Sequence, residues 1–323
     1  MCVSARTRVI VVTAVCALAA AGGAIAVGAL QGDQTKTAAA AARPTPKQGR
    51  PPLALELGVR DDAEAQDLRR ASALYAEGRL AEAAAVFDRY GSTEARIGSA
   101  FARWPDETLN RLNQLAALLP QSGAVQLHLG LADYWVGDSG AEAAWQAART
   151  LEPDTMYSVT AGNLLFPQFF KGNPIFVTRA PLPDGFRSLT PAAQLDVLGS
   201  RAAGSVAASL QYGAALQRLG HQRSAEKVFR AAAQRAPADP EAQVAAAVGR
   251  FDKAAPAKAF SRLGPLTRRF PRAATVRFHL GLLLLWSGSI KGAEQQFVKA
   301  QKAEPGSPLA LEAAKYLKII RSK

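Results

Sequence analysis

Few side chains in this chain could do chemistry, and none sits in a catalytic pattern. There are three histidines, His128, His221 and His279, and two cysteines, Cys2 and Cys16. His128 and His279 each stand just before a Leu-Gly pair, in the related strings QLHLGLADYWVG and RFHLGLLLLWSG. Equivalent places in two copies of one pattern point to packing rather than to catalysis or metal binding. His221 follows Gly220 at a turn. Carboxylate pairs such as Asp61-Asp62 and Asp106-Glu107 fall at helix starts, where negative charge suits the helix dipole. Nothing marks such a pair as a general acid and base. There is no Gly-rich phosphate loop, no GxSxG elbow and no HExxH. Both cysteines precede residue 17, so disulfides and cysteine-ligated metal sites are excluded from the folded part. No catalytic residue, metal ligand or cofactor is assigned, and the expectation is a protein without chemistry of its own.

The elements that would position any site repeat with a fixed period. Pro237, Pro271 and Pro305 are 34 residues apart, as are Ala225, Ala259 and Ala293, and Phe229, Leu263 and Phe297. The clearest copy is ATVRFHLGLLLLWSGSIKGAEQQFVKAQKAEPGSP, from Ala274 to Pro308. In it Leu280, Gly281, Leu284, Ala293, Phe297, Ala300 and Pro305 fall in two helical runs around a turn at Gly288. Small residues let two helices approach closely, the large ones fill the space between them, and the proline ends the unit. These offsets resemble the tetratricopeptide repeat consensus. With the N-terminus described below, the whole is similar to a membrane-anchored bacterial repeat protein of that family. The resemblance implies an all-α solenoid of helical hairpins, because one hairpin cannot bury its apolar face alone.

Two blocks of three hairpins are expected, at residues 61–153 and 204–323. In the first, Leu129, Gly130, Ala141, Trp145, Ala148 and Pro153 take the consensus places. The second ends in SPLALEAAKYLKIIRSK, an amphipathic helix suited to cap a solenoid. Between them, residues 154–203 form a spacer that departs from the pattern. NLLFPQFFKGNPIFVTRAPLPDGF carries five Phe and four Pro, which no helix accommodates. Thr190-Pro191 then reads as an N-cap and first turn. The spacer is expected to pack against one block, the first, and weld the two halves together, or to lend its aromatics to a ligand groove.

The N-terminus carries 22 uncharged residues from Val9 to Leu30, behind Arg6 and Arg8. That length suffices to cross a bilayer, which takes roughly 20 residues. Residues 1–30 are read as a transmembrane anchor, with a cleaved signal segment and secretion as the alternative. Residues 31–60 read as a flexible Ala/Pro-rich linker. The repeats would then lie outside the cytoplasm.

Charge divides along the chain. Residues 61–160 carry 8 basic and 15 acidic side chains, a net of −7; residues 161–323 carry 24 and 9, a net of +15. The basic part could meet an acidic protein, an anionic wall polymer or lipid head groups. No nucleic-acid recognition motif accompanies it. The resemblance implies a protein or peptide partner along a concave face lined by the first helix of each hairpin. Carried over by position, that face includes Leu127, Leu131, Tyr134 and Trp135 in the third hairpin, and Gln217 and Arg218 in the fourth. In the fifth it includes Val244, Val248 and Phe251, and in the sixth Phe278, Leu282, Leu285 and Trp286. Tyr134, Trp135, Arg218, Phe251, Phe278 and Trp286 are the candidate binding residues. The reading is an interaction scaffold of the cell envelope. Anionic polymer or lipid binding through the basic block, and an accessory subunit of an envelope enzyme, are the alternatives.

Overall fold

Capping residues start about half of the helices. In the computed structural model, which describes residues 45–322, the side chains of Asp62, Ser92, Ser122, Thr155, Thr190, Ser205 and Ser307 accept the backbone N–H three residues on. These bonds satisfy donors that a helix start leaves open. The first half contains α1 (Ala63–Glu77), α2 (Leu80–Phe87), α3 (Thr93–Phe101), α4 (Thr108–Leu118), α5 (Gly123–Val136) and α6 (Ala141–Leu151). They pair as three hairpins, and α7 (Met156–Leu165) packs on α5 and α6. The second half begins with a 3-10 turn (Phe186–Ser188) and α8 (Pro191–Arg201), which packs on α9 (Val206–Arg218). Hairpins follow from α9 with α10 (Gln222–Arg235), α11 (Pro240–Val248) with α12 (Ala257–Arg269), and α13 (Ala274–Trp286) with α14 (Ile290–Ala303). The last helix, α15 (Pro308–Arg321), packs on α13 and α14 as α7 packs on α5 and α6. No strand occurs among the described residues. The architecture is an all-α, tetratricopeptide-like solenoid of helical hairpins.

Packing explains the repeat positions. A Cβ on Gly130 would sit 2.6 Å from the Trp145 ring, and one on Gly281 would sit 2.8 Å from Phe297. Glycine at these two places lets the first helix of a hairpin rest directly on the aromatic of the second. Leu68, Phe87, Ile97, Phe101, Leu112 and Leu127 fill the first core. Leu210, Phe229, Val244, Leu263 and Val276 fill the second, which continues into Phe278, Phe297 and Leu317 under α15.

Three expectations change. The region from residue 154 is not one irregular spacer, because α7 caps the first half and only the stretch between α7 and α8 lacks regular helix apart from the 3-10 turn. That stretch lies chiefly on the second half, not the first. Phe176 is fully buried in the core of α9, α10, α11 and α13, where its ring meets Phe229 and stacks on His279. Likewise residues 45–57, placed in the flexible linker by sequence, are extended against the first half, with Pro51 and Leu57 buried. The apolar stretch 9–30 lies outside the described residues. Among those described, no helix is long and apolar enough to cross a membrane.

Candidate functional site

Each half holds an extended piece of its own chain along the first helices of its hairpins. We call residues 47–57, KQGRPPLALEL, the first thread and residues 170–180, FKGNPIFVTRA, the second. Prolines keep both from becoming helix. Aligned on Gly49 with Gly172 and Pro51 with Pro174, they occupy equivalent places. The two glycines share a left-handed backbone, with φ of 79° and 75°, and both prolines are buried.

A histidine reads the backbone of each thread. The Ala54 N–H donates to His128 Nε2 at 3.2 Å, and the Val177 N–H donates to His279 Nε2 at 2.9 Å. The other ring nitrogen settles the tautomer. Nδ1 lies 2.7 Å from the Ala124 carbonyl in one half and 2.7 Å from the Thr275 carbonyl in the other. A carbonyl only accepts, so Nδ1 carries the proton and Nε2 is free to accept. Both rings are fully buried, and burial pushes both pKa values down to about 4, opposed by the bonds to the carbonyls.

Other side chains of the first helices hold the rest. In α1, Arg69 donates to the carbonyls of Gly58 and Arg60, and the Tyr75 hydroxyl donates to the Pro51 carbonyl at 2.6 Å. In α9, Gln211 donates to the Pro181 carbonyl at 2.7 Å, and Gln217 Oε1 accepts the Phe176 N–H at 2.8 Å. The Trp104 indole donates to the Gly49 carbonyl at 3.0 Å. At the start of the first thread, the Lys47 N–H donates to the Trp135 carbonyl at 2.8 Å. Its ammonium sits 4.2 Å from the centre of the Tyr134 ring, a cation–π contact. The matching end of the second thread puts Phe170 against Trp286, with centroids 6.2 Å apart. There Lys253, almost fully buried, donates to the Phe170 carbonyl at 2.8 Å and to Asn163 Oδ1. Burial, helped by Arg149 nearby, lowers its pKa to about 8.

The halves are fastened to each other. The Asp154 carboxylate accepts from the N–H groups of Arg223 and Ser224, at 2.7 and 3.0 Å, and from the Ser224 hydroxyl at 2.6 Å, at the start of α10. Arg149 of α6 pairs with Asp252 at 2.9 Å. Beside this seam lies a cleft of about 150 Å³ whose lining includes Arg149, Arg223, Arg250, Lys253 and Lys258.

The six candidate residues separate into three groups. Tyr134, Trp135 and Trp286 are half-buried and touch a thread. Phe278 and Phe251, expected on an open concave face, are buried in the core instead. Phe278 packs between Phe297 and Tyr316, because the helix face beside the His279 face is covered by α14 and α15. Arg218 is exposed, while its neighbour Gln217 is the one that holds the second thread. Sequence reasoning missed both threads and the role of the histidines as acceptors. The strings QGRPPLAL and KGNPIFVT, each with Gly-x-Pro before apolar residues, were the available signal. Among the described residues no group of three or more His, Cys, Asp or Glu could hold a metal ion.

No protein-family model matches the chain, and no curated protein matches it. Among solved structures it is similar to a thermophilic tetratricopeptide protein of Thermus thermophilus, at 18% identity over 79% of this chain and 100% of that one, with a TM-score of 0.26. It is also similar to a tetratricopeptide repeat protein of Parabacteroides merdae, at 12% identity over 80% and 98%, with a TM-score of 0.33. Yeast Tom70 matches at 11% identity over 85% and 67%, with a TM-score of 0.30. The tetratricopeptide-like architecture therefore rests on this chain's own hairpins and 34-residue spacing.

Proposed function

We propose that this protein is a non-catalytic interaction scaffold of the cell envelope, held at the membrane by residues 9–30 with its repeats outside the cytoplasm. Its working surface is the groove formed by the first helices of the hairpins, and the ligand is an extended peptide segment of a partner protein. One observation carries this reading. Two versions of the groove each hold an extended chain, using side chains that bind its backbone N–H and C=O groups and pockets that bury its proline. Backbone contacts give affinity for extended chain in general, and pockets give the sequence preference.

The test is photo-crosslinking in native membranes with the full chain. A photoreactive residue in place of Trp135, at the groove, is compared with one in place of Leu118, which is 66% exposed on α4. A protein partner joined only from the groove position, and retained at high salt, is the expected result. Groove and α4 positions giving the same products would contradict it. Alkaline extraction checks the anchor: the scaffold should stay with the membrane pellet.

A second reading has its own observation, the basic lining of the cleft beside Lys253 within a strongly basic half. It makes the second half a binder of anionic polymer or lipid. Crosslinked or co-purified material that is lost as salt rises would favour it, because many-charge binding is screened.

A further inference from the structure

The two grooves carry the same acids, but the two threads present opposite charges to them. Glu94 in α3 and Glu152 just after α6 correspond to Glu241 in α11 and Glu304 just after α14. In the second half these carboxylates clamp Arg179 of the thread. Arg179 Nε lies 3.5 Å from Glu241 Oε2, and its terminal nitrogen lies 3.4 Å from Glu304 Oε2. The Arg179 N–H also donates to Glu241 Oε1 at 2.6 Å. Glu304 is itself fixed by the Ala274 N–H, 3.1 Å away at the start of α13.

In the first half the thread residue at that place is Glu56. Its N–H donates to the Tyr157 hydroxyl at 3.1 Å, and the same hydroxyl reaches Glu94 Oε1 at 3.5 Å. The Glu56 carboxylate turns back to accept the Gly58 N–H at 2.9 Å. The cations of this thread are elsewhere, Lys47 over Tyr134 and Arg50 over Tyr75. Glu94, Glu56 and Glu152 thus all lie near Tyr157, with His221 close enough to Glu56 to oppose the rise in its pKa. Burial raises the pKa of Glu56 and of Glu152, and Glu94 adds to the rise at Glu152. The groove's acids are matched by an arginine in one half, whereas in the other the thread carries an acid at that place, which gives them no ion pair.

Attachment differs in the same direction. The second thread is joined at both ends to helices, α7 before it and α8 after it, and drives Phe176 into the core. Among the described residues the first is joined to the helical array through residues 58–62, and the counterpart of Phe176 is the half-buried Leu53.

We propose that the first groove exchanges its own thread for an extended segment of a partner protein with the pattern Gly-x-Pro-x-apolar-apolar-x-Arg, whose arginine enters between Glu94 and Glu152. The pattern is that of residues 172–179, GNPIFVTR, in the matched groove. This rests on the groove being the working surface and adds the chemistry of the ligand and its competition with the first thread. The bound thread is then a built-in placeholder, of the right backbone shape and the wrong charge.

The test uses the full chain in detergent and two labelled peptides. One has the sequence of residues 168–182, and the other is its Arg179→Glu form. Fluorescence anisotropy should show the arginine peptide binding at least about tenfold tighter, the scale of a hydrogen bond to a charged partner. Replacing Glu56→Arg in the protein gives the first thread the matching charge and should lower binding of the arginine peptide by a similar factor, with helicity unchanged by circular dichroism. The double change Glu94→Gln and Glu152→Gln should make the two peptides bind alike. Equal binding of both peptides to the unaltered protein, binding of neither, or undiminished binding to the Glu56→Arg protein would overturn the proposal. A groove-specific crosslinked partner with no peptide preference would leave the scaffold reading intact and sink this one. Peptide preference with no crosslinked partner would do the reverse.

Discussion

The second half fastens its thread by a fully buried phenylalanine and by an arginine clamped between two carboxylates, while the first half holds an equivalent thread with a half-buried leucine and a glutamate at the same two places. Both halves use the same frame: three hairpins, a capping helix, a Gly-x-Pro turn into the groove and a buried neutral histidine that accepts one thread N–H. What differs is how much apolar surface the thread buries and which charge it offers to a shared arrangement of two carboxylates. A groove that recognises backbone can thus be permanently filled or only provisionally filled, through a handful of side-chain choices.

Deleting the deepest anchor should give the largest effect. Phe176→Ala is expected to cost roughly 3–5 kcal/mol of stability in urea unfolding, the range for a buried aromatic. Leu53→Ala, at the matching place but half-buried, should cost only about 1–2 kcal/mol. Equal costs would erase the difference in anchoring.

Acid comes next, and it acts on both halves alike. His128 and His279 have folded pKa values of about 4, below the ordinary 6.5, so the folded protein favours neutral rings. Their contribution is intact above about pH 6.5 and is lost as pH falls towards 4, by roughly 3 kcal/mol for each ring. Protonation also puts a proton on Nε2, which removes the acceptor for Ala54 or Val177. His128→Asn and His279→Asn should each remove about half of this acid-dependent loss in unfolding measured between pH 7 and 4. A loss unaffected by either change would show that the rings are not the titrating groups.

The smallest changes should have opposite signs in the two halves. Arg179→Gln breaks a partly exposed ion pair and should cost about 1 kcal/mol or less. Glu56→Gln removes a third carboxylate from around Tyr157 and should raise the melting temperature at neutral pH. A loss of stability from Glu56→Gln would contradict the charge mismatch.

The hairpins were legible because packing imposes a period. Small residues where helices touch and an aromatic opposite them must recur with each hairpin, so Ala225, Ala259 and Ala293 announce themselves by spacing alone. The threads were not legible in the same way. An extended segment of eleven residues buries alternate side chains against several helices, which leaves no period to read, and its prolines and glycine resemble those of a linker. The paired histidines were visible, but their duty was not, since the acceptor Nε2 serves an amide 74 residues away in one half and 102 in the other. Phe278 and His279 are sequence neighbours on different faces of α13, so position in the repeat assigned the wrong one to the groove. The clamp on Arg179 joins Glu241 and Glu304 from different hairpins, which only the stacked array brings together.

Hydrogen exchange of the thread amides in the full chain tests the account most directly. Ala54 and Val177 both give their N–H to a buried histidine, so both should exchange more slowly than unbonded amides. The account predicts that the first thread opens more readily, with Ala54 exchanging faster than Val177, and that Glu56→Arg slows Ala54 towards Val177. Equal protection of the two amides, or no change at Ala54 in the Glu56→Arg protein, would contradict a provisional first thread.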